Sequence, residues 1–147
     1  MPSQIDLDRT YLEMAQIWAN LSKARRKKVG CLIVKDGAII SDGYNGTPCG
    51  FDNNCEYKDP KSFEDDLITK PEVLHAESNA ITKLAKSTQS SQGSTMYITI
   101  SPCLECSKLI IQSGIKKVVY LNNYRNLDGV NLLLKAEIQV LCYENKV

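Results

Sequence analysis

One histidine and two cysteines stand where a metal ion could use them. The chain has 147 residues, six cysteines and a single histidine. His75-Ala76-Glu77 is one fragment, and Pro102-Cys103-Leu104-Glu105-Cys106 is the other. Imidazole and thiolate are ligands of the kind zinc takes. Three protein ligands leave a tetrahedron one corner short. Structural zinc sites close that corner, whereas catalytic sites keep it for water. The missing ligand therefore points to a metal-assisted hydrolysis. Glu77 follows His75 by two, and residues so spaced do not share a helix face. Its carboxylate need not be a ligand and is free to carry protons beside the reacting water.

Blander readings compete with this one. A lone histidine is more often structural. A Cys-x-x-Cys alone fits a redox pair or a zinc staple, the staple recruiting Cys49, Cys55 or a carboxylate as fourth ligand. Joint placement favours the catalytic reading, because each fragment opens a predicted helix. Helix N-termini carry partial positive charge and free N–H groups, which favour thiolates.

The elements that must hold these fragments are visible in the periodicity. Leu7, Tyr11, Met14, Trp18 and Leu21 recur at three and four and predict a helix over residues 6–21, with Asp6 as its cap. Ser22 to Lys28 carries five basic residues in seven. Val29–Val34 reads as a buried strand, Asp36-Gly37 as a hairpin turn, and Ala38–Ser41 as the antiparallel return. From Gly43 to Pro71 the pattern breaks into a long polar stretch. A stretch of that length inside a domain tends to be functional; a short helix is expected at residues 65–69. A helix is predicted from Pro71 to Lys86 and a strand over Thr95–Ile100. Ser101 is the predicted N-cap and Pro102 the first residue of a helix that runs to Ser113 and stops at Gly114. A strand at Lys117–Leu121, a helix at Val130–Ala136 and a strand at Ile138–Tyr143 complete the chain. Helices between the last three strands favour parallel neighbours with helices on both faces, an α/β fold.

Composition bounds the function. Hydrophobic residues make up 43% and charged residues 24%, ordinary values for a globular protein. The length fits one domain, residues 1–147. Eighteen basic against seventeen acidic residues give a net charge of +1, with no global sign of a nucleic-acid or membrane partner. No apolar run approaches the roughly 20 residues that span a bilayer. Met1 to Asp6 lacks the blocks of a signal peptide, so a cytoplasmic protein with reduced thiols is expected. Cys31 and Cys142 lie in apolar runs and read as small buried hydrophobes.

His-x-Glu followed by Pro-Cys-x-x-Cys is the arrangement of the zinc nucleobase deaminases. The chain resembles, more narrowly, the deoxycytidylate (dCMP) deaminases of the cytidine deaminase superfamily, from about Arg9 to Tyr143. Beyond the two zinc fragments, the likeness rests on Val29–Val34, on Gly43-Tyr44-Asn45-Gly46-Thr47-Pro48-Cys49-Gly50-Phe51 and on Val119-Tyr120-Leu121-Asn122-Asn123-Tyr124-Arg125. The insertion after Gly-Tyr-Asn-Gly separates it from the tRNA adenosine deaminases, whose corresponding loop is short.

The resemblance implies a three-layer α-β-α sandwich with a mixed five-stranded sheet, cytidine deaminase-like. It implies hydrolysis of dCMP to dUMP and ammonia, with zinc on His75, Cys103 and Cys106 and Glu77 as the proton carrier. It places the base and sugar against Asn45, Thr47, Ser101 and Tyr124, and the phosphate on some of Ser22, Arg25, Arg26 and Lys28. Arginine forks suit phosphate oxygens, although a charge run is usually only solvated surface. Asn45 is otherwise a turn residue, and Tyr124 otherwise a half-buried loop tyrosine.

The resemblance also implies a homohexamer activated by dCTP and inhibited by dTTP, with magnesium on the triphosphate. The effector region would be Gly43, Tyr44, Asn45 and Gly46, with Arg125 near a subunit boundary. Cys49 and Cys55, with Cys31, are what remains for a second metal. Two other classes compete: a catalytically silent nucleotide-binding regulator, and a deaminase of RNA or single-stranded DNA. Glu77 argues against the first, since a silent protein has no chemical need of it. The near-neutral charge argues against the second.

Overall fold

Helix α1 (Gln4–Ala19) begins at a capping box. Ser3 Oγ accepts from the Asp6 N–H, and the Asp6 carboxylate accepts from the Ser3 N–H, both at 3.1 Å. Ser3 is thus the cap, and Asp6, expected in that role, answers from the third helical position. The computed structural model describes residues 1–144. After α1 come β1 (Gly30–Lys35), β2 (Ala38–Tyr44), β3 (Glu56–Lys58), β4 (Leu67–Thr69) and α2 (Ala76–Ala85). The chain continues through β5 (Thr95–Ile100), α3 (Leu104–Gln112), β6 (Lys117–Asn122), α4 (Asp128–Lys135) and β7 (Gln139–Cys142).

Five strands form one sheet in the order β2-β1-β5-β6-β7. β1 runs antiparallel to both β2 and β5, whereas β5, β6 and β7 are mutually parallel, so the sheet is mixed as expected. Asp36 and Gly37 adopt positive φ at the β1–β2 turn, the backbone hand that matches strand twist. Side chains alternate across the sheet. Cys31, Ile33, Met96, Ile98, Val118 and Tyr120 face α2, α3 and α4. Leu32, Val34, Tyr97, Val119 and Leu121 face Leu12 and Ala15 of α1. The three layers are therefore α1, the sheet, and the remaining helices.

Four local expectations are corrected. Residues 67–69 are not helical: Leu67-Ile68-Thr69 pairs with Glu56-Tyr57-Lys58 as a two-stranded ribbon, the two β-branched residues suiting a strand. Helix α2 starts at Ala76 rather than Pro71, because Leu74 is held by paired backbone bonds to Gly46. Ser101 does not cap α3. Its N–H is committed to the Asn122 carbonyl at 2.9 Å, which keeps it on the sheet and moves the cap to Cys103. Cys142 is exposed rather than buried, since β7 is an edge strand. Among the described residues no helix is long and apolar enough to cross a membrane.

Candidate active site

Two helix N-termini meet beyond one end of the parallel strands. His75 is the N-cap of α2, and Cys103 is the N-cap of α3. Cys106 occupies the third position of α3 and donates its backbone N–H to Cys103 Sγ at 3.5 Å. A Cys-x-x-Cys on a helix start therefore turns both sulfurs to one side, at the positive end of the peptide dipoles. Gly129, near the start of α4, lets the chain approach closely here. A Cβ on it would lie 2.2 Å from the Pro102 carbonyl oxygen and 2.7 Å from the Cys103 backbone.

The three donor atoms converge. His75 Nδ1 lies 3.5 Å from Cys103 Sγ and 3.3 Å from Cys106 Sγ, and all three lie within 4.8 Å of one another. Ligands on a tetrahedral zinc, with bonds of about 2.0 Å to nitrogen and about 2.3 Å to sulfur, stand roughly 3.5 Å apart. The donor set thus fits zinc in kind and in spacing. Among the described residues this is the one group of three or more such donors. Cys49 is exposed, Cys55 and Cys31 are buried, and none of them joins it.

The local electrostatics suit a cation. A hydrogen bond from the Cys106 thiol, opposed by burial and aided by His75, brings Cys103 down to about 4. The same bond, with burial, pushes the Cys106 thiol well up. His75 is raised, chiefly by its hydrogen bond to Cys103. A metal ion binds such a set by displacing protons. Glu77 is 3% exposed at the second position of α2, and burial raises its carboxyl.

A cleft of about 260 Å³ opens over this corner. His75, Glu77 and Cys103 line it, as do Arg26, Asn45, Ser101 and Tyr124 of the expected substrate residues. Ser101 Oγ accepts from the Tyr124 N–H at 2.7 Å and so fixes that loop. Asn45 Oδ1 accepts from the Val29 N–H, and its Nδ2 donates to the Lys27 carbonyl, both at 2.8 Å. Asn45 therefore pins the basic loop while facing the cleft.

The other expected residues are placed elsewhere. Ser22 is buried and donates its hydroxyl to the Asn45 carbonyl at 2.7 Å. Thr47 donates to the Asp52 carbonyl at 2.6 Å. Arg25 is spent on Glu56 and Asn54. Lys28 lines a separate groove along α1 with Gln16 and Asn20. Gly43 has a packing reason to be glycine, since a Cβ would lie 2.3 Å from the Ala76 carbonyl oxygen on α2. Tyr44 packs its ring edge-on to Trp18, and Arg125 is exposed. Lys27, Glu56 and Thr69 line the cleft although none was singled out from the sequence. Lys27 was one cation in a run without a period, and Glu56 and Thr69 lie in the stretch where periodicity fails.

Residues 5–122 match the profile of the "Cytidine and deoxycytidylate deaminase zinc-binding region". The chain belongs to this deaminase family. It is 36% identical to the deoxycytidylate deaminase of Enterobacteria phage T4, covering 89% of this chain and 86% of that protein. It is 38% identical to the human deoxycytidylate deaminase over 77% of this chain and 63% of the human one. Its fold superimposes with a TM-score of 0.85 on the dCMP deaminase of cyanophage S-TIM5, solved with dCMP and dUMP. That protein is 40% identical, with 96% of this chain and 99% of the phage chain covered.

Proposed function

We propose that this protein hydrolyses the 4-amino group of dCMP in the cytoplasm, releasing dUMP and ammonia. The observation that carries the reading is one cleft in which a three-donor metal corner, a buried glutamate and two cations converge. The phage relative solved with dCMP and dUMP supports the choice of nucleotide.

His75, Cys103 and Cys106 would hold zinc, which lowers the pKa of water towards neutrality and polarises the reacting carbon's surroundings. Glu77 takes a proton from the attacking water, delivers one to N3 of the ring, and protonates the departing amine. A C4–O bond forms and the C4–N bond breaks; one water is consumed and one ammonia leaves. Burial lifts the Glu77 carboxyl above its ordinary value, the direction that strengthens a carboxylate as a proton acceptor. Tyr124, whose backbone is fixed through Ser101, lines the cleft and supplies an aromatic ring on which a base could stack. Asn45 keeps one acceptor and one donor site beyond its two backbone bonds, available to the sugar. Arg26 and Lys27 stand at the cleft for the phosphate.

The same proposal includes a homohexamer, activation by dCTP and inhibition by dTTP, with magnesium accompanying the triphosphate. Membership of the family supports this part. Sedimentation at assay concentration and rates measured with each triphosphate test it, and rates indifferent to both would remove the regulation. For the reaction itself, the protein is incubated with dCMP, CMP, deoxycytidine and an RNA hairpin, with and without a zinc chelator. Chelator-sensitive ammonia from dCMP is the expected result. Ammonia from the hairpin alone would make it an RNA deaminase, and dCMP binding without ammonia a silent regulator.

A further inference from the structure

Glu56, the first residue of β3, is 1% exposed although it lines the cleft. Burying a carboxylate is costly unless its oxygens are engaged. Here one oxygen does unusual duty. Glu56 Oε2 accepts the backbone N–H groups of both Arg25 and Arg26, each at 2.9 Å. Oε1 faces Arg25 Nε at 3.6 Å, and the Arg25 guanidinium also donates to Asn54 Oδ1 and to the Glu56 carbonyl. The charge of Arg25 is therefore answered by Glu56.

Arg26 is treated differently. Its guanidinium donates to Thr69 Oγ1 at 3.2 Å. Thr69 is the cross-strand partner of Glu56 in the β3–β4 ribbon. One rung of a small ribbon thus grips Arg26 at both ends: Glu56 holds its backbone and Thr69 its guanidinium. The segment from α1 to β1 has no regular structure except turns, so such ties decide where its cations point. The rung fastens Arg26 at the cleft while Arg25 neutralises the buried carboxylate.

We propose that Glu56 is a positioning residue, acting through Arg26, that sets the preference for a nucleoside monophosphate over the free nucleoside. This rests on the dCMP reading above. A carboxylate holding two N–H groups orders the loop before substrate arrives, so less of the phosphate binding energy is lost to ordering. The ribbon, in this view, is part of the phosphate site although it contributes no cation.

The test compares steady-state kinetics on dCMP and on deoxycytidine. Glu56→Ala is expected to raise KM for dCMP about tenfold, as for a misplaced charge-assisted bond, with kcat changed far less. The preference for dCMP over deoxycytidine falls accordingly. Glu56→Gln keeps an oxygen for both N–H groups and should recover most of that preference. In an Arg26→Ala background, Glu56→Ala should add little, because the two act as one unit. Equal losses on both substrates, or full additivity with Arg26→Ala, overturn the proposal. If Glu56→Ala does not fold, Thr69→Val reports instead: a raised KM for dCMP with preserved kcat supports it, and an unchanged KM sinks it. A wild-type protein that releases no ammonia from dCMP would fail the parent reading. A wild type that turns over dCMP, with variants indifferent to the phosphate, fails this inference alone.

Discussion

Two buried carboxylates lie on opposite faces of the sheet, and their surroundings differ. Asp8 on α1 is 1% exposed and ringed by donors. The Tyr97 hydroxyl donates to it at 2.6 Å and the Tyr143 hydroxyl at 2.9 Å; Gln4 Nε2 donates at 2.9 Å, and Lys117 Nζ lies 3.7 Å away. Glu77 on α2 is 3% exposed, and desolvation is the leading influence on its carboxyl. It opens on the cleft beside the three metal donors. Asp8 ties α1 to β5, β6 and the chain after β7, so its oxygens are already engaged as hydrogen-bond acceptors. Glu77 instead lines the cleft. A buried acid whose lone pairs are filled by its own protein serves stability, and one left facing a cavity is available for chemistry.

That contrast can be broken in four ways. Removing the metal should have the largest effect. Dialysis against a chelator is expected to bring ammonia release from dCMP to background, and added zinc to restore it; full turnover by metal-free protein would end the account. Next, Glu77→Gln should lower kcat by roughly 10²–10⁴-fold, the range for general acid–base catalysis, while zinc content by elemental analysis stays the same. A glutamine matches the shape but moves no proton. Asp8→Asn should do the reverse, lowering unfolding free energy in urea by about 1.5–3 kcal/mol, the scale of hydrogen bonds to a charged group, and leaving turnover per folded molecule intact.

The smallest effect is in alkaline solution. Burial and the hydrogen bond to Asp8 raise the Tyr97 phenol well above its ordinary value. A group raised in the folded state stabilises fully below its unfolded pKa of about 10, and that stabilisation is lost as pH climbs above it. Urea midpoints from pH 9 to 11 should therefore fall less steeply in Tyr97→Phe than in the wild type. Parallel curves would show that Asp8 and Tyr97 are not coupled as the contrast requires.

Much of the metal corner was legible because it depends on short spacings. Cys-x-x-Cys at a helix start puts two sulfurs on one side, and His-x-Glu at another sets an imidazole and a carboxylate on different sides of the helix start. The alternating apolar runs likewise foretold the order of the main-sheet strands and the helices between them. The β3–β4 ribbon was not legible: three-residue strands in a polar stretch carry too few residues to show a period, and they pair across an intervening loop. The cap of α3 moved from Ser101 to Cys103 for a similar reason. Serine has the better local preference, but its N–H had already been taken by Asn122 on β6. Asn45 was singled out from the sequence and lines the cleft, yet its grip on residues 27–29 was not legible.

The basic run marks the limit most clearly. Five cations in seven residues carry charge but no period, and the chain alone does not say which of them a ligand would meet. The choice fell to Glu56, some thirty positions away, which occupies Arg25, and to Thr69, which steadies Arg26. The sequence by itself determined the kinds of donor, their local geometry and the alternation that builds the sheet, all properties of neighbours a few residues apart. Only the tertiary structure decided that His75 meets Cys103 and Cys106, that Asp8 is filled while Glu77 is open, and which cations face the cleft. Those outcomes depend on which distant groups desolvate one another, and no local spacing encodes that.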